Sequence, residues 1–306
     1  MISKFKIALI IPYFGKFKNY FPLFLMSCKN NPTINWLVFT DSNDNYEWPQ
    51  NVKCIKMSFW DFRDIVQQNF EFSISLDSPY KLCDYKPAYG EILQDYLKEY
   101  DFWGHCDCDM IFGDIREFIS DDTLLHYTKI FSRGHLTIYK NDEDTNSFYR
   151  TQKEIDYKKV YTSLQSYSFD EWPGLSKVWE RLGKGFYDEM PFDDIIVNLT
   201  GFFPTKKIGK KEIGGPYHLH NIDLSKKYKV MKNIIYKYID GKLYRIWCSN
   251  KNIYQEEVLY VHLQKRDMKI QNIAILMEKE SFFVCPGVFM EINGDLSKDF
   301  LKAVSP

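Results

Sequence analysis

Residues 1–120 alternate apolar strand-like runs with helical spacings, which predicts an α/β fold on a mostly parallel sheet. Two observations carry this. The strand candidates are nearly unbroken apolar runs, as expected of strands covered on both faces. The segments between them place apolar residues at helical intervals.

Lys6–Ile11 (KIALII) is the first run, stopped by Pro12 and Gly15. Asn35–Thr40 (NWLVFT) is the second and ends at Asp41, and Val52–Met57 (VKCIKM) is the third. Phe59–Phe70 aligns Phe59, Phe62, Ile65, Val66 and Phe70 on one helical face. Pro87–Tyr100 opens with a proline suited to a first helical turn and aligns Tyr89, Ile92, Leu93, Tyr96 and Leu97. Phe102–Cys106 is the next strand, followed at once by Asp107 and Asp109. The second half is less regular. Strands are expected at His135–Tyr139, Val258–Leu263 and Phe282–Met290, and a short helix at Leu175–Leu182. Tyr228–Trp247 reads as strands around an Asp240-Gly241 turn. Without a repeat or a linker, residues 1–306 read as a single domain with an elaborated C-terminal half.

The chain is 45% hydrophobic, enough for a sizeable core. Its net charge of −1 gives no field that would draw nucleic acid. None of the seven cysteines forms a CxxC pair, so they read as thiols in a reducing compartment rather than a disulfide or zinc framework. MISKFKIALIIPYFG has a short apolar run without a small-residue cleavage site and reads as a buried strand, not a signal peptide. No stretch approaches the ~20 apolar residues that span a bilayer. The expectation is a cytoplasmic protein, at most peripheral on the inner face of the cell membrane.

In open α/β sheets, ligands bind beyond the carboxyl ends of the strands. Three such ends are polar here: Pro12–Lys16, Thr40–Asp44 and Asp107–Asp109. In Asp-x-Asp, alternate side chains face one side, so Asp107 and Asp109 can aim at one point. Two carboxylates suit Mg²⁺ or Mn²⁺ with a substrate diphosphate. The plainer reading is a capping loop, with Asp114 capping the helix that follows. Thr205–Glu212 (TKKIGKKE) is basic. It reads as a solvated loop or, with Phe202-Phe203 and Tyr20–Phe24, as a contact for anionic lipid or a lipid-linked diphosphate.

The apolar strand, the DCD at Asp107–Asp109 and a late histidine resemble GT-A glycosyltransferases. Tyr80–Ile115 (YKLCDYKPAYGEILQDYLKEYDFWGHCDCDMIFGDI) is similar to a bacterial glycosyltransferase family of polysaccharide loci. So are Arg133–Asn141, Phe169–Gly174 and Tyr260–Arg266. The resemblance implies a GT-A (Rossmann-like) domain with a nucleotide-binding half, residues 1–120, and an acceptor half, residues 121–306. It implies a Mn²⁺ or Mg²⁺ ion on Asp107, Asp109 and His262, and a nucleotide-sugar donor, UDP-linked. Pro12, Tyr13, Thr40 and Asp41 would meet the nucleotide, and Asp84, Lys86, Asp107 and Lys265, beside Arg266, the diphosphate or donor sugar. The product would be a bacterial surface polysaccharide, capsule or lipopolysaccharide O-antigen, grown on a glycan or lipid-linked acceptor.

An inverting transfer needs a base for the acceptor hydroxyl. Two acidic pairs follow the metal motif, Asp170-Glu171 in FDEWPG and Asp193-Asp194 in PFDDI. Asp170 or Glu171 is the first choice, with Trp172 as a flat face for a sugar, and Asp194 the next. Asp170 also reads as a cap for the helix at Leu175. His135 and Asn141 read as sugar contacts or structural hydrogen bonds. Two other functions fit the same residues. One is a nucleotidyltransferase or phosphosugar-handling α/β enzyme. The other is a non-catalytic carbohydrate-binding protein, suggested by 22 Tyr, 24 Phe and 7 Trp.

Overall fold

The computed structural model describes residues 3–171, 174–195, 206–208, 211–213, 232–249, 252–294 and 296–304. The architecture is mixed α/β with a mostly parallel central sheet, as expected. The chain forms two compact units. One takes Met1–Phe17, Pro32–Cys108 and Ile119–Glu189, and the other Lys18–Asn31, Asp109–Phe118 and Met190–Pro306.

The first unit holds seven strands: β1 (Ile7–Pro12), β2 (Ile34–Thr40), β3 (Val52–Lys56), β4 (Phe102–Cys106), β6 (Lys129–Arg133), β7 (Leu136–Lys140) and β8 (Phe186–Tyr187). Their order is β3-β2-β1-β4-β7-β6-β8. Only β7 runs against the rest. Gly104 lets β7 lie close to β4, because a Cβ there would fall 2.4 Å from the Thr137 carbonyl oxygen. Helix α2 (Phe59–Gln67) starts at a Ser58/Asp61 capping box and buries Phe59, Phe62 and Val66. It stops short of Phe70, because Gln67 turns its amide onto the Phe70 and Phe72 carbonyls.

The long helix expected at Pro87–Tyr100 is corrected by the structure. A 3₁₀ helix runs Pro79–Ala88, followed by single turns at Tyr89–Ile92 and Gln94–Leu97 that meet at a non-helical Leu93. Tertiary packing overrides the periodicity. Gly90 is pressed onto Trp103, whose Nε1 would lie 2.6 Å from a Cβ there. The 3₁₀ segment is anchored by a buried ion pair, Lys81 Nζ to Asp84 Oδ2 at 2.7 Å. Asp84 also accepts from the Tyr167 and Phe169 backbone N–H groups, and Lys81 donates to the Val160 and Gln165 carbonyls.

The second unit has a six-stranded sheet, ordered β14-β13-β12-β17-β18-β16. These strands are β12 (Lys232–Ile239), β13 (Lys242–Ser249), β14 (Asn252–Glu257), β16 (Lys269–Ile270), β17 (Phe282–Cys285) and β18 (Val288–Met290). Asp240 (φ 52°) and Gly241 (φ 73°) make the expected hairpin turn between β12 and β13. Phe282–Met290 is two strands rather than one, turning at Gly287 (φ 82°). A three-stranded sheet joins β5 (Met110–Phe112), β15 (Tyr260–His262) and β9 (Asp193–Asp194).

Helix α1 (Phe21–Lys29) was not foreseen. Tyr20, Phe21, Leu23 and Phe24 are at most 1% exposed, so this stretch serves the core rather than a lipid surface. Lys206–Ile208 and Lys211–Ile213 of the basic run pair as a two-stranded ladder. Trp172, Phe202, Phe203, Thr205 and residues 209–210 and 228–231 lie outside the described residues. No helix among the described residues is long and apolar enough to cross a membrane.

Removing one partner of a buried ion pair strands the other's charge. Asp84→Ala is expected to lower the unfolding free energy by about 3–5 kcal/mol in urea titrations. The double variant Lys81→Met, Asp84→Leu should recover only part of that loss, because the Tyr167 and Phe169 N–H groups lose their acceptor.

Candidate functional site

In the first unit the ends of β1 and β2 meet. The Tyr13 N–H donates to the Phe39 carbonyl at 2.9 Å, and the Gly15 N–H to Asp41 Oδ1 at 2.8 Å. Thr40 is buried, and its hydroxyl accepts from the Ser42 N–H. Pro12, Tyr13, Thr40 and Asp41 therefore gather at the carboxyl edge of the sheet. The Tyr13 ring stacks on Phe17 with centroids 4.6 Å apart, and Tyr46 meets Phe17 edge-on at 5.8 Å. Burial, and then Asp44, push the Tyr46 hydroxyl up to about 12.

A second group in this unit surrounds Lys86. Its ammonium donates to the Gly134 carbonyl at 2.6 Å and to Asp107 Oδ1 at 3.1 Å. Burial opposes its charge, but Asp107 and then Asp170 outweigh this and raise its pKa. Asp170 is 1% exposed, and burial raises it to about 6 although Lys86 and Lys129 oppose this. Burial, and then the Asp170 charge, raise Glu171 to about 7. Its carboxyl lies over Gly134, where a Cβ would stand 2.2 Å from Glu171 Oε1. His105 on β4 lies 3.8 Å from Asp170 Oδ2, and burial, then Lys86 and Lys129, hold it well below the usual imidazole value. Lys129, wholly buried, is lowered to about 7 by its burial, against the pull of Asp188 and Asp170.

The second unit gathers another set of ligating groups. β5 and β15 pair antiparallel with Met110 opposite His262, which puts Asp109 at the mouth of that ladder. Asp109 Oδ1 is 3.4 Å from His262 Nε2, and Asp109 Oδ2 accepts from the Lys265 N–H. On the other side of the ring, Asp194 Oδ1 is 2.9 Å from Nδ1. Burial disfavours the imidazolium, yet Asp109 and Asp194 raise His262 well above its ordinary value. Burial likewise opposes the Asp109 charge, but His262 and the Lys265 N–H hold it down to about 2. The donor set fits a hard or borderline divalent ion. Ligand atoms bonded at ~2.1 Å on an octahedron lie roughly 3 Å apart along an edge. Asp109 and His262 are close to that spacing.

Several expected residues take other places. Asp84 is wholly buried in the ion pair described above, so it fixes the 3₁₀ segment. Lys265 supplies its backbone N–H to Asp109, and its side chain is exposed. Asn141 ties the Leu97 and Tyr100 carbonyls and is structural. Asp170 does not cap the helix Leu175–Arg181, whose N-cap is Gly174. Asp114 does cap its helix, accepting from the Arg116 N–H at 3.0 Å. The sequence reading missed Gly134, His105, Lys129 and Gln264. Of these, only His105, a polar residue inside an apolar strand, left a signal.

The protein is thus mixed α/β, with a candidate metal centre at Asp109 and His262 in one unit and a buried cluster of acids, lysines and a histidine in the other. The chain belongs to a family of unknown function (DUF6625), whose model matches residues 9–293. No curated protein matches it. Among solved structures it is similar to the galactosyltransferase LgtC in complex with donor and acceptor sugar analogues. That likeness has 12% identity over 61% of this chain and 75% of the other, with a TM-score of 0.35. It is also similar to mouse xyloside xylosyltransferase 1, apo form, with 10% identity over 63% and 88% and a TM-score of 0.39. A third is the glycosyltransferase GlyE of Streptococcus pneumoniae TIGR4, with 10% identity over 61% and 45% and a TM-score of 0.32.

Asp170 and Glu171 keep protons in the fold at pH values where the unfolded chain, at 3.8 and 4.5, has lost them. Their contribution to stability is complete below those values and disappears as pH rises through about 6 and 7. In urea unfolding from pH 4.5 to 7, the wild type should lose more stability than Asp170→Asn, Glu171→Gln. Parallel curves would refute the shifted carboxyls.

Proposed function

We propose that the chain is a metal-dependent glycosyltransferase, one domain with its nucleotide side in residues 1–120 and its acceptor side in 121–306. It would move a hexose from a nucleotide diphosphate sugar, UDP-linked, to a glycan or lipid-linked acceptor in bacterial surface polysaccharide synthesis. The work would take place in the cytoplasm, on the inner face of the membrane where the acceptor is lipid-linked. The observation that carries this reading is the Asp109–His262 pair at 3.4 Å, two residues along the chain from Asp107.

Asp107, Asp109 and His262 would hold Mn²⁺ or Mg²⁺, which when bound neutralises the charge of a departing diphosphate. Lys86 is held charged beside Asp107 and would add a second positive group to the phosphates. Pro12 and Tyr13, with Thr40 and Asp41, would receive the nucleotide at the carboxyl edge of β1 and β2. Glu171 is the better-tuned base of its pair. Its pKa of about 7 lets it take a proton from an acceptor hydroxyl near neutral pH. Its own burial, and then the charge of the more deeply buried Asp170, keep that pKa raised.

Donor screening by UDP or GDP release, with Mn²⁺ present, is the test. The wild type should release UDP, and Asp109→Ala should lose both Mn²⁺-dependent UDP binding in calorimetry and turnover by at least ~100-fold. Glu171→Gln should retain donor binding while losing turnover ~100-fold or more. Release of pyrophosphate would favour nucleotidyl transfer instead. Glycan binding indifferent to nucleotide and metal would leave a carbohydrate-binding protein.

A further inference from the structure

Asp194 is a candidate base by sequence, but its surroundings fit another task. We infer that Asp194 is a positioning residue that holds the His262 imidazole so that Nε2 and the Asp109 carboxylate face a divalent cation together; this rests on the metal-dependent reading above.

Strand register is the first support. β9 pairs parallel to β15 with Asp193 opposite Val261 and Asp194 opposite His262. Alternation along the strand therefore divides the two aspartates. Asp193 is 1% exposed and bonds Arg245 Nη1 at 2.6 Å. Asp194 lies with the imidazole. Its Oδ1 sits 2.9 Å from Nδ1, so Nε2 is the nitrogen turned to Asp109. A histidine whose far nitrogen is engaged by a carboxylate has its tautomer and ring plane set for ligation.

Backbone conformation is the second support. Directly after β15, Gln264 (φ 49°) and Lys265 (φ 58°) are both left-handed, and neither is glycine. Such residues persist only where the surroundings over-determine them. Here both are used. Gln264 Nε2 donates to Asp194 Oδ1 at 2.6 Å, and the Lys265 N–H donates to Asp109 Oδ2. The turn thus fastens the two carboxylates that flank one ring. An acceptor-facing base needs an open lone pair, whereas Asp194 is 5% exposed and its Oδ1 already meets two nitrogens.

The test is Mn²⁺ binding to the full chain without substrate, by calorimetry and by the nitrogen coupling in pulsed EPR. Asp194→Ala should weaken binding by about 10–100-fold and reduce the nitrogen coupling. Asp194→Asn keeps an acceptor oxygen for Nδ1–H and should retain both. Gln264→Ala should weaken binding roughly tenfold, the low end of that range, and carries the comparison if Asp194→Ala fails to fold. Wild type that ignores Mn²⁺, or binds it no better than Asp109→Ala, refutes the metal reading itself. Wild type that depends on Asp109 while Asp194→Ala and Gln264→Ala bind normally refutes the positioning role alone. Asp194→Asn as weak as Asp194→Ala also refutes it, because Asp194 would then act through its charge.

Discussion

Two carboxylates share one buried imidazole, and the charge of that trio constrains the second unit. The side chains of Asp109, Asp194 and His262 are each less than a tenth exposed. With the ring protonated the trio is still one charge negative, and with it neutral the excess is two. Charges buried without compensation cost several kcal/mol each. Part of that cost is offset locally, by the Lys265 N–H on Asp109 and the Gln264 amide on Asp194. The remaining negative charge is what a divalent cation would remove. The short three-stranded sheet matters for this reason. It delivers Asp109, Asp194 and His262 from three distant parts of the chain to adjacent strands.

The first unit handles buried charge differently. Two lysines, Lys86 and Lys129, are set among several acids, and burial raises the carboxyls of Asp170 and Glu171. Asp107 keeps contact with Lys86, while Asp170 and Glu171 are pushed towards neutral pH. The Gly134 carbonyl receives the same ammonium, and its missing side chain leaves the space that the Glu171 carboxyl fills. Groups with separated proton affinities are what acid–base chemistry at one pH requires.

Most of the parallel sheet was legible in the sequence, because strands covered on both faces must be apolar throughout. β1, β2, β3 and β4 fall where those runs fall. The Asp240-Gly241 hairpin was legible for a local reason, since both of its turn residues need positive φ. The helix after Pro87 was misread because the demand of Trp103 on Gly90 is tertiary and leaves no period. Asp107, Asp109 and His262 were singled out by position at strand ends and by family resemblance, and of these the structure brings Asp109 and His262 to 3.4 Å. Asp194 was read as a candidate base without its contact to His262, because that register exists only once β9 and β15 pair. Gln264 and Gly134 could not be found, since one acts through an amide that a left-handed backbone places and the other through an absent atom.

The interleaving of segments bears on how the chain can be made. Residues 18–31 and 109–118 leave the ribosome long before the partners they need. Tyr20, Leu23, Met26 and Ile111 share a core with Ile234, Tyr236 and Phe289. Until those later residues are synthesised, the early segments must keep aromatic and aliphatic surface in water, with the β5 edge unpaired. Such long-range closure slows folding and exposes sticky intermediates. Nascent chains should therefore depend on chaperones through most of translation, and no single cut should yield both units as separately soluble fragments.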